Sequence, residues 1–227
     1  VGFTIDLDGV SVMIGIPVYG NIPPRTSMSL ARTMHAAGVS GIDIDAVMEV
    51  RGIVEVARDA VLHSFLKSDK QKLFWIDSDM VWEPDDFFRL LALSTQRDVV
   101  CAAYLAKKEG ETDFQLSGPV APQEPDELGL IQIWATGLGF SIVDRSVCEQ
   151  IAAKAPTYFD SVSRREMAKV FRVDIWNGHL RGEDVNYFSD IRELGHTVWL
   201  DPSISLGHIG TKIWKASPAD TLKRKDQ

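Results

Sequence analysis

The hydrophobic pattern separates short, wholly apolar runs from longer stretches with an apolar residue every three or four positions. Runs over 12–17, 73–76 and 98–103 read as buried strands bounded by polar residues. Looser alternation over 43–50 predicts another strand. Over 24–37 the stripe is Leu30, Ala31, Met34 and Ala37, entered through Pro24 and stopped by Gly38, which predicts a helix. Over 52–66, Val54, Ala57, Val61 and Phe65 recur at helical spacing, which sets Arg58 and Asp59 beside the buried stripe. The next helix opens on Pro84-Asp85-Asp86 and carries Phe87, Leu90 and Leu91.

The second half is more mixed. The stretch 107–128 is charged and Pro-rich and reads as a long mobile loop. Short strands over 130–134 and 140–143 flank Thr136-Gly137-Leu138-Gly139, and Asp144 is expected to cap a helix ending at Pro156. Residues 157–181 have weak periodicity. Gly182-Glu183-Asp184 then opens a helix with Val185, Phe188, Ile191 and Leu194, closed by Gly195. A last strand covers 197–200, and His208 falls in a loop bounded by glycines. Strands alternating with helices in the first half imply a parallel α/β sheet. No Gly/Ser- or Pro-rich linker divides the chain, so one domain is expected over 1–227.

Composition narrows the class. The 227 residues are 45% hydrophobic and 25% charged, as in a soluble globular protein. A net charge of −8 argues against general affinity for nucleic acid or anionic membrane. Cys101 lies in a strand pattern and Cys148 in a helix pattern, so both are expected as reduced core residues. No apolar run reaches the length of a membrane span, and no signal-peptide pattern is seen. A cytoplasmic location is the resulting expectation. Residue 1 is Val rather than Met, which fits a trimmed N-terminus.

The chemistry concentrates at Phe74-Trp75-Ile76-Asp77-Ser78-Asp79-Met80. An apolar strand drives straight into two aspartates, and in open α/β sheets ligands bind where strands end. Two carboxylates about 4 Å apart repel by roughly 4 kcal/mol at an effective dielectric of 20. Holding Asp77 and Asp79 together there calls for a cation, a donor or open water, and a divalent metal carrying a phosphate answers that need. The same tripeptide also serves as an ordinary loop opening.

Four features occur in order: Ile16-Pro17-Val18-Tyr19-Gly20, Ala57-Arg58-Asp59, Asp77-Ser78-Asp79, and Gly182-Glu183-Asp184-Val185 followed by His208. This series resembles the GT-A fold of nucleotide-sugar glycosyltransferases over roughly residues 11–214. The resemblance implies a single α/β domain with a Rossmann-like, mostly parallel central sheet and flanking helices. A nucleotide-binding half would cover 11–105, a mixed acceptor and catalytic half 106–214, and a tail 215–227. It implies transfer of a sugar from a UDP- or GDP-sugar to the hydroxyl of a glycan or other acceptor. A nucleic-acid acceptor fits the acidic balance poorly.

The family's site carries over residue by residue. Mn²⁺ or Mg²⁺ would bridge the donor phosphates as a Lewis acid, with Asp79 and His208 as ligands and Asp77 on the metal through water or on the ribose. Asp184 would be the general base of an inverting enzyme, with Glu183 toward the acceptor. Acids in a helix's first turn also suit the dipole alone. Pro17, Tyr19 and Arg58 match nucleotide-holding positions. Gly137 belongs to a turn that lies against the donor sugar, and Trp134, Trp176 and His179 are candidates for an acceptor floor. His208-Ile209-Gly210-Thr211-Lys212-Ile213-Trp214 resembles the His-x-x-Gly-x-x-Lys-Pro-Trp signature of glycogenin-like transferases, with two spacing departures and no Pro. That match suggests Lys212 as a phosphate contact. It also points to a retaining outcome, against the inverting outcome implied by Asp184.

Two alternatives remain at this level. Phe3-Thr4-Ile5-Asp6-Leu7-Asp8-Gly9 resembles the nucleophile motif of haloacid-dehalogenase-type phosphatases, with Asp6 as nucleophile and Asp8 as acid/base. A non-catalytic module that binds a sugar nucleotide or glycan would keep the fold without the transfer.

Overall fold

Two strand–helix–strand units open the chain: β1 (Ser11–Val18), α1 (Pro24–Val39), β2 (Asp43–Val50), α2 (Val54–Lys67) and β3 (Lys72–Ile76). In this computed structural model the described residues are 7–107, 113–114, 116–118, 124–210, 212–217 and 219. β4 (Met80–Val81), α3 (Pro84–Leu93) and β5 (Val99–Cys101) follow. Then come β6 (Leu116–Ser117), β7 (Ile131–Ile133), β8 (Ala135–Thr136), β9 (Phe140–Asp144) and α4 (Arg145–Lys154). Two hairpins, β10 (Thr157–Asp160) with β11 (Arg165–Ala168) and β12 (Asp174–Trp176) with β13 (His179–Arg181), lead into α5 (Glu183–Glu193). β14 (Val198–Leu200), β15 (Leu206–Ile209) and β16 (Ile213–Ala216) complete the order.

The central sheet has the strand order β2-β1-β3-β9-β5-β14-β7. β1, β2, β3, β5 and β14 run one way, and β9 and β7 run against them. The sheet is therefore mostly parallel, as expected. Side chains of a strand alternate between faces, and both faces here are buried. Leu73 and Trp75 join Val61 and Phe65 of α2, Cys148 of α4 and Phe188 of α5. Phe74 and Ile76 join Phe87 and Leu90 of α3 and Phe140 of β9. Double burial is why β1 and β3 read as unbroken apolar runs. Gly15 in β1 lets α2 approach, since a Cβ there would lie 2.3 Å from Val61 Cγ1.

Several expectations need correction. The buried face of α1 is Thr26, Ser29, Thr33 and Ala37; Ala31 is exposed, and Leu30 and Met34 are only partly buried. Hydroxyls face inward there because Ser29 Oγ donates to Trp82 O at 2.7 Å and Trp82 Nε1 donates to Thr33 Oγ1 at 2.9 Å. Asp144 stands at the N-cap of α4 but makes no side-chain cap bond. Its carboxylate instead pairs with Lys72, whose ammonium also donates to Ser94 O. The weak period over 157–181 reflects hairpins rather than irregular chain. Asn177 and Gly178 both have positive φ, 49° and 78°, in the two-residue turn of β12–β13. The stretch expected as a loop over 107–128 contains β6, paired with β8. Val54, placed on the buried stripe of α2, is 40% exposed. Both cysteines are buried and free, as expected. Among the described residues no helix is long and apolar enough to cross a membrane.

Candidate active site

A cavity of about 300 Å³ lies at the carboxyl ends of β1 and β3. Pro17, Tyr19, Arg58, Asp77, Asp79, Glu183, Asp184 and His208 all line it. Residues more than a hundred positions apart meet because β1 and β3 are neighbours, α2 packs behind them, and α5 begins opposite. Asp59, next to Arg58, fastens α2 to the second half. Its Oδ1 accepts the amide N–H of Val170 at 2.9 Å and of Phe171 at 3.0 Å. Burial pushes the Asp59 carboxyl up to about 6 despite those bonds.

Arg58 forms the floor. Its side chain is buried, with Nη2 3.1 Å from Asp77 Oδ1 and 3.4 Å from Glu183 Oε1. Burial opposes its charge, yet the surrounding carboxylates, Asp77 and Glu183 first, hold its pKa above the ordinary value. Its Nε and Nη1 have no hydrogen-bond partner among the described residues. Asp77 is also met by the Tyr104 hydroxyl, which donates to Oδ2 at 3.3 Å and accepts the Gly139 amide N–H at 3.1 Å. Bare glycines are required here. A Cβ at Gly137 would lie 2.4 Å from the Tyr104 hydroxyl oxygen, and one at Gly139 2.4 Å from Asp77 Oδ2.

Asp79 turns the other way. The antiparallel pairing of β4 with β15 sets His208 opposite Met80, and the Ile209 amide donates to Asp79 O at 2.9 Å. His208 is therefore a strand residue, not the loop residue expected from its flanking glycines. Its Nε2 lies 3.5 Å from Asp79 Oδ1, and Lys107 pairs with Asp79 Oδ2. Burial pushes the Asp79 carboxyl up, but hydrogen bonds and charge from His208 and Lys107 outweigh it and hold it below its usual value.

Among the described residues no group of three His, Cys, Asp or Glu is arranged to hold a metal ion. Asp77, expected on the ribose or on the metal through water, is paired with Arg58 and Tyr104 and forms no three-residue group with Asp79 and His208. Asp79 and His208 fit a metal as a pair. His208 Nδ1 lies 2.8 Å from the Leu105 carbonyl oxygen, so it must carry the hydrogen of that bond. In the neutral ring, Nε2 then presents a lone pair toward a carboxylate oxygen. Two facing acceptors need a proton or a cation between them, and a carbonyl-oriented imidazole beside a carboxylate is a donor set that can ligate a divalent metal. Two protein ligands leave the remaining positions to phosphate oxygens and water.

Across the cavity, Glu183 and Asp184 occupy the first turn of α5, after Gly182 at its N-cap. Burial raises the pKa of both, and Arg58 opposes that rise. Asp184 Oδ1 accepts the Val185 amide at 2.7 Å.

Other expected residues fall elsewhere. Trp134 and Trp176 line a second cavity of about 590 Å³ on the far side of the first turn of α5. His179 is exposed on β13 and does not line it. Gly137 packs on Tyr104, behind Asp77. Lys212 is not among the residues lining the first cavity; its ammonium lies 4.2 Å from the Trp214 ring centroid. Asp6 and Thr211 lie outside the described residues. Asp8 lines a separate cavity with Ser40 and Asp43 at the amino end of β1, away from Glu183 and Asp184. Three residues were missed: Tyr104, Lys107 and Arg51. Tyr104 and Lys107 lie three and six residues beyond the end of β5, where a strand-end reading had a signal to find them. Arg51 lies one residue beyond β2, lines the cavity and pairs with Glu49 at 3.0 Å.

No protein-family model matches the chain, and no curated protein matches it by sequence. Its fold is nonetheless similar to that of a GT-A glycosyltransferase. The structure of GalNAc-T7 with UDP, GalNAc and Mn²⁺ superimposes with a TM-score of 0.57 over 90% of this chain, at 12% identity. The chain spans only 45% of that protein. The structure of A197 from STIV is similar over 92% of this chain and 91% of its own, with a TM-score of 0.59 and 21% identity.

Proposed function

We propose that this protein is a metal-dependent glycosyltransferase that moves a sugar from a UDP- or GDP-sugar to an acceptor hydroxyl. The observation that carries this reading is the meeting in one cavity of the Asp79–His208 pair and the Glu183–Asp184 turn, with Arg58 between them. The similarity of fold to a transferase solved with UDP and Mn²⁺ supports it.

In this reading Asp79 and His208 would hold Mn²⁺ or Mg²⁺, and the ion would supply Lewis-acid stabilisation of a departing diphosphate. Tyr19, 79% exposed at the rim, stacks on the base beside Pro17. Asp77 receives the ribose, and the free N–H groups of Arg58 serve the nucleotide. Lys107 pairs with Asp79 here and would have to give up that pairing to a metal. Lys212, on the β16 side of His208, is assigned a phosphate contact only if the donor extends that far.

Asp184 takes the acceptor proton in a direct displacement, which inverts the anomeric carbon. The acceptor oxygen bonds to that carbon as the bond to the diphosphate oxygen breaks, and the diphosphate leaves with the electron pair. A carboxylate raised by burial is a better base than an exposed one. Glu183, on Arg58, orients the acceptor.

The test is release of nucleoside diphosphate from a panel of UDP- and GDP-sugars with Mn²⁺. Release that stops with EDTA and returns with Mn²⁺ supports the proposal. Inertness toward every donor, with or without acceptor glycans, rejects it.

A further inference from the structure

The second cavity carries chemistry of its own. Its floor is two partly exposed indoles, Trp134 at 42% and Trp176 at 58% exposure. A guanidinium lies over each: Arg192 Cζ is 5.5 Å from the Trp134 ring centroid, and Arg181 Cζ is 5.5 Å from that of Trp176. Elsewhere in this acidic chain Arg58, Arg89, Arg97 and Arg172 each meet a carboxylate. Among the described residues the side chains of Arg181 and Arg192 form no ion pair and no hydrogen bond, and Arg181 Nε is buried without a partner. Among the described lining residues Glu193 is the one acid.

We infer that this cavity takes a glycan acceptor bearing a negative charge, a carboxylate or phosphate held by Arg181 and Arg192 with the sugar rings lying on Trp134 and Trp176. An indole offers a flat apolar face to the C–H face of a pyranose. A guanidinium stacked on an indole keeps its N–H edge free to grip an oxyanion in two places. The volume falls within the usual range for a small ligand, about 300–1,000 Å³. Indoles and arginines would equally stack nucleobases, but a chain of net charge −8 disfavours a polyanion that must extend beyond the cavity.

The location links this cavity to the transfer. Val185 lines it, and the preceding residue, Asp184, lines the first cavity. A glycan seated on the indoles therefore ends at the turn that presents the carboxylate base. Only the word acceptor rests on the transferase reading; the preference for a charged sugar does not.

The experiment is calorimetric titration of the whole chain with three tetrasaccharides and an oligothymidylate of eight nucleotides. The sugars are neutral chitotetraose, a hyaluronan tetrasaccharide carrying uronates, and mannotetraose with a 6-phosphate. At least one charged sugar should bind ten-fold or more tightly than chitotetraose, and which one separates carboxylate from phosphate recognition. That gap should collapse in Arg181→Gln and in Arg192→Gln, each checked for an unchanged melting midpoint. If one variant fails to fold, the other decides. Equal binding of neutral and charged sugars, a gap that survives both replacements, or tighter binding of the oligothymidylate would overturn the inference. UDP with Mn²⁺, titrated separately into the parent, reports on the transferase reading. Failure there with the charged-sugar preference intact would leave a binding site for acidic glycans without transfer.

Discussion

The two cavities that flank the first turn of α5 are out of balance in opposite senses. The first gathers Asp77, Asp79, Glu183 and Asp184 around the buried Arg58, with His208 and the Glu49-paired Arg51 also in its lining, and Lys107 meets Asp79. The second sets Arg181 and Arg192 over two indoles with Glu193 as its acid. A buried charge left unbalanced costs free energy unless a ligand completes it. On the proposed function the first cavity would accept a cation, and the second an anion. One helix end divides them, so in that reading donor and acceptor would meet at Asp184.

The largest expected effect tests the dividing residue. Asp184→Asn keeps size and most hydrogen bonds but takes no proton, so turnover should fall by about 10² to 10⁴. Affinity for UDP with Mn²⁺ should barely change. Burial raises the pKa of Asp184, so the ionised base is lost as pH falls through a value above that of an exposed carboxylate. The acidic limb of the parent's pH–rate profile should sit correspondingly high and vanish in the variant. Near-normal turnover would remove Asp184 as base and favour the retaining outcome.

The next contrast is between arginines. Arg58→Met strands several carboxylates in a buried site and should cost about 3–5 kcal/mol of stability. Arg192→Met loses only a stacked contact, about 1 kcal/mol or less. Urea denaturation of both variants checks the difference, and equal losses would deny that the cavities differ in charge balance. A smaller effect is expected at Lys107, which is partly exposed. If it stands in for the metal on Asp79, Lys107→Met should tighten binding of Mn²⁺ alone by about five-fold, the scale of an exposed ion pair. Electron paramagnetic resonance of free Mn²⁺ measures this directly, and an unchanged affinity would show that Lys107 does not compete.

How much was legible follows from range. The first half was readable because each β–α unit is local: β1, α2, β3 and α3 bury runs and stripes that the period reports directly. That Arg58, Asp77 and Asp79 line one cavity was legible for the same reason, from strand ends and a buried helix. His208 was placed in the wrong kind of element because β15 is made by pairing with β4, more than a hundred residues earlier. The hydroxyl face of α1 was missed because the partners of Ser29 and Thr33 lie at Trp82. Asn177-Gly178 did carry a local hairpin signal between 157 and 181. The different partners of Asp77 and Asp79 were beyond pattern reading, since Arg58 meets one carboxylate and His208 and Lys107 the other.

On the proposed function, the first cavity would hold a nucleoside diphosphate through a metal on Asp79. Calorimetric titration with UDP and with GDP, each with Mn²⁺ and with EDTA, tests it in the parent and in Asp79→Ala. At least one nucleotide should bind the parent ten-fold or more tightly with Mn²⁺, and that increment should disappear in Asp79→Ala while its melting midpoint holds. Binding of both nucleotides that is indifferent to Mn²⁺, or an increment that survives in Asp79→Ala, would contradict the account.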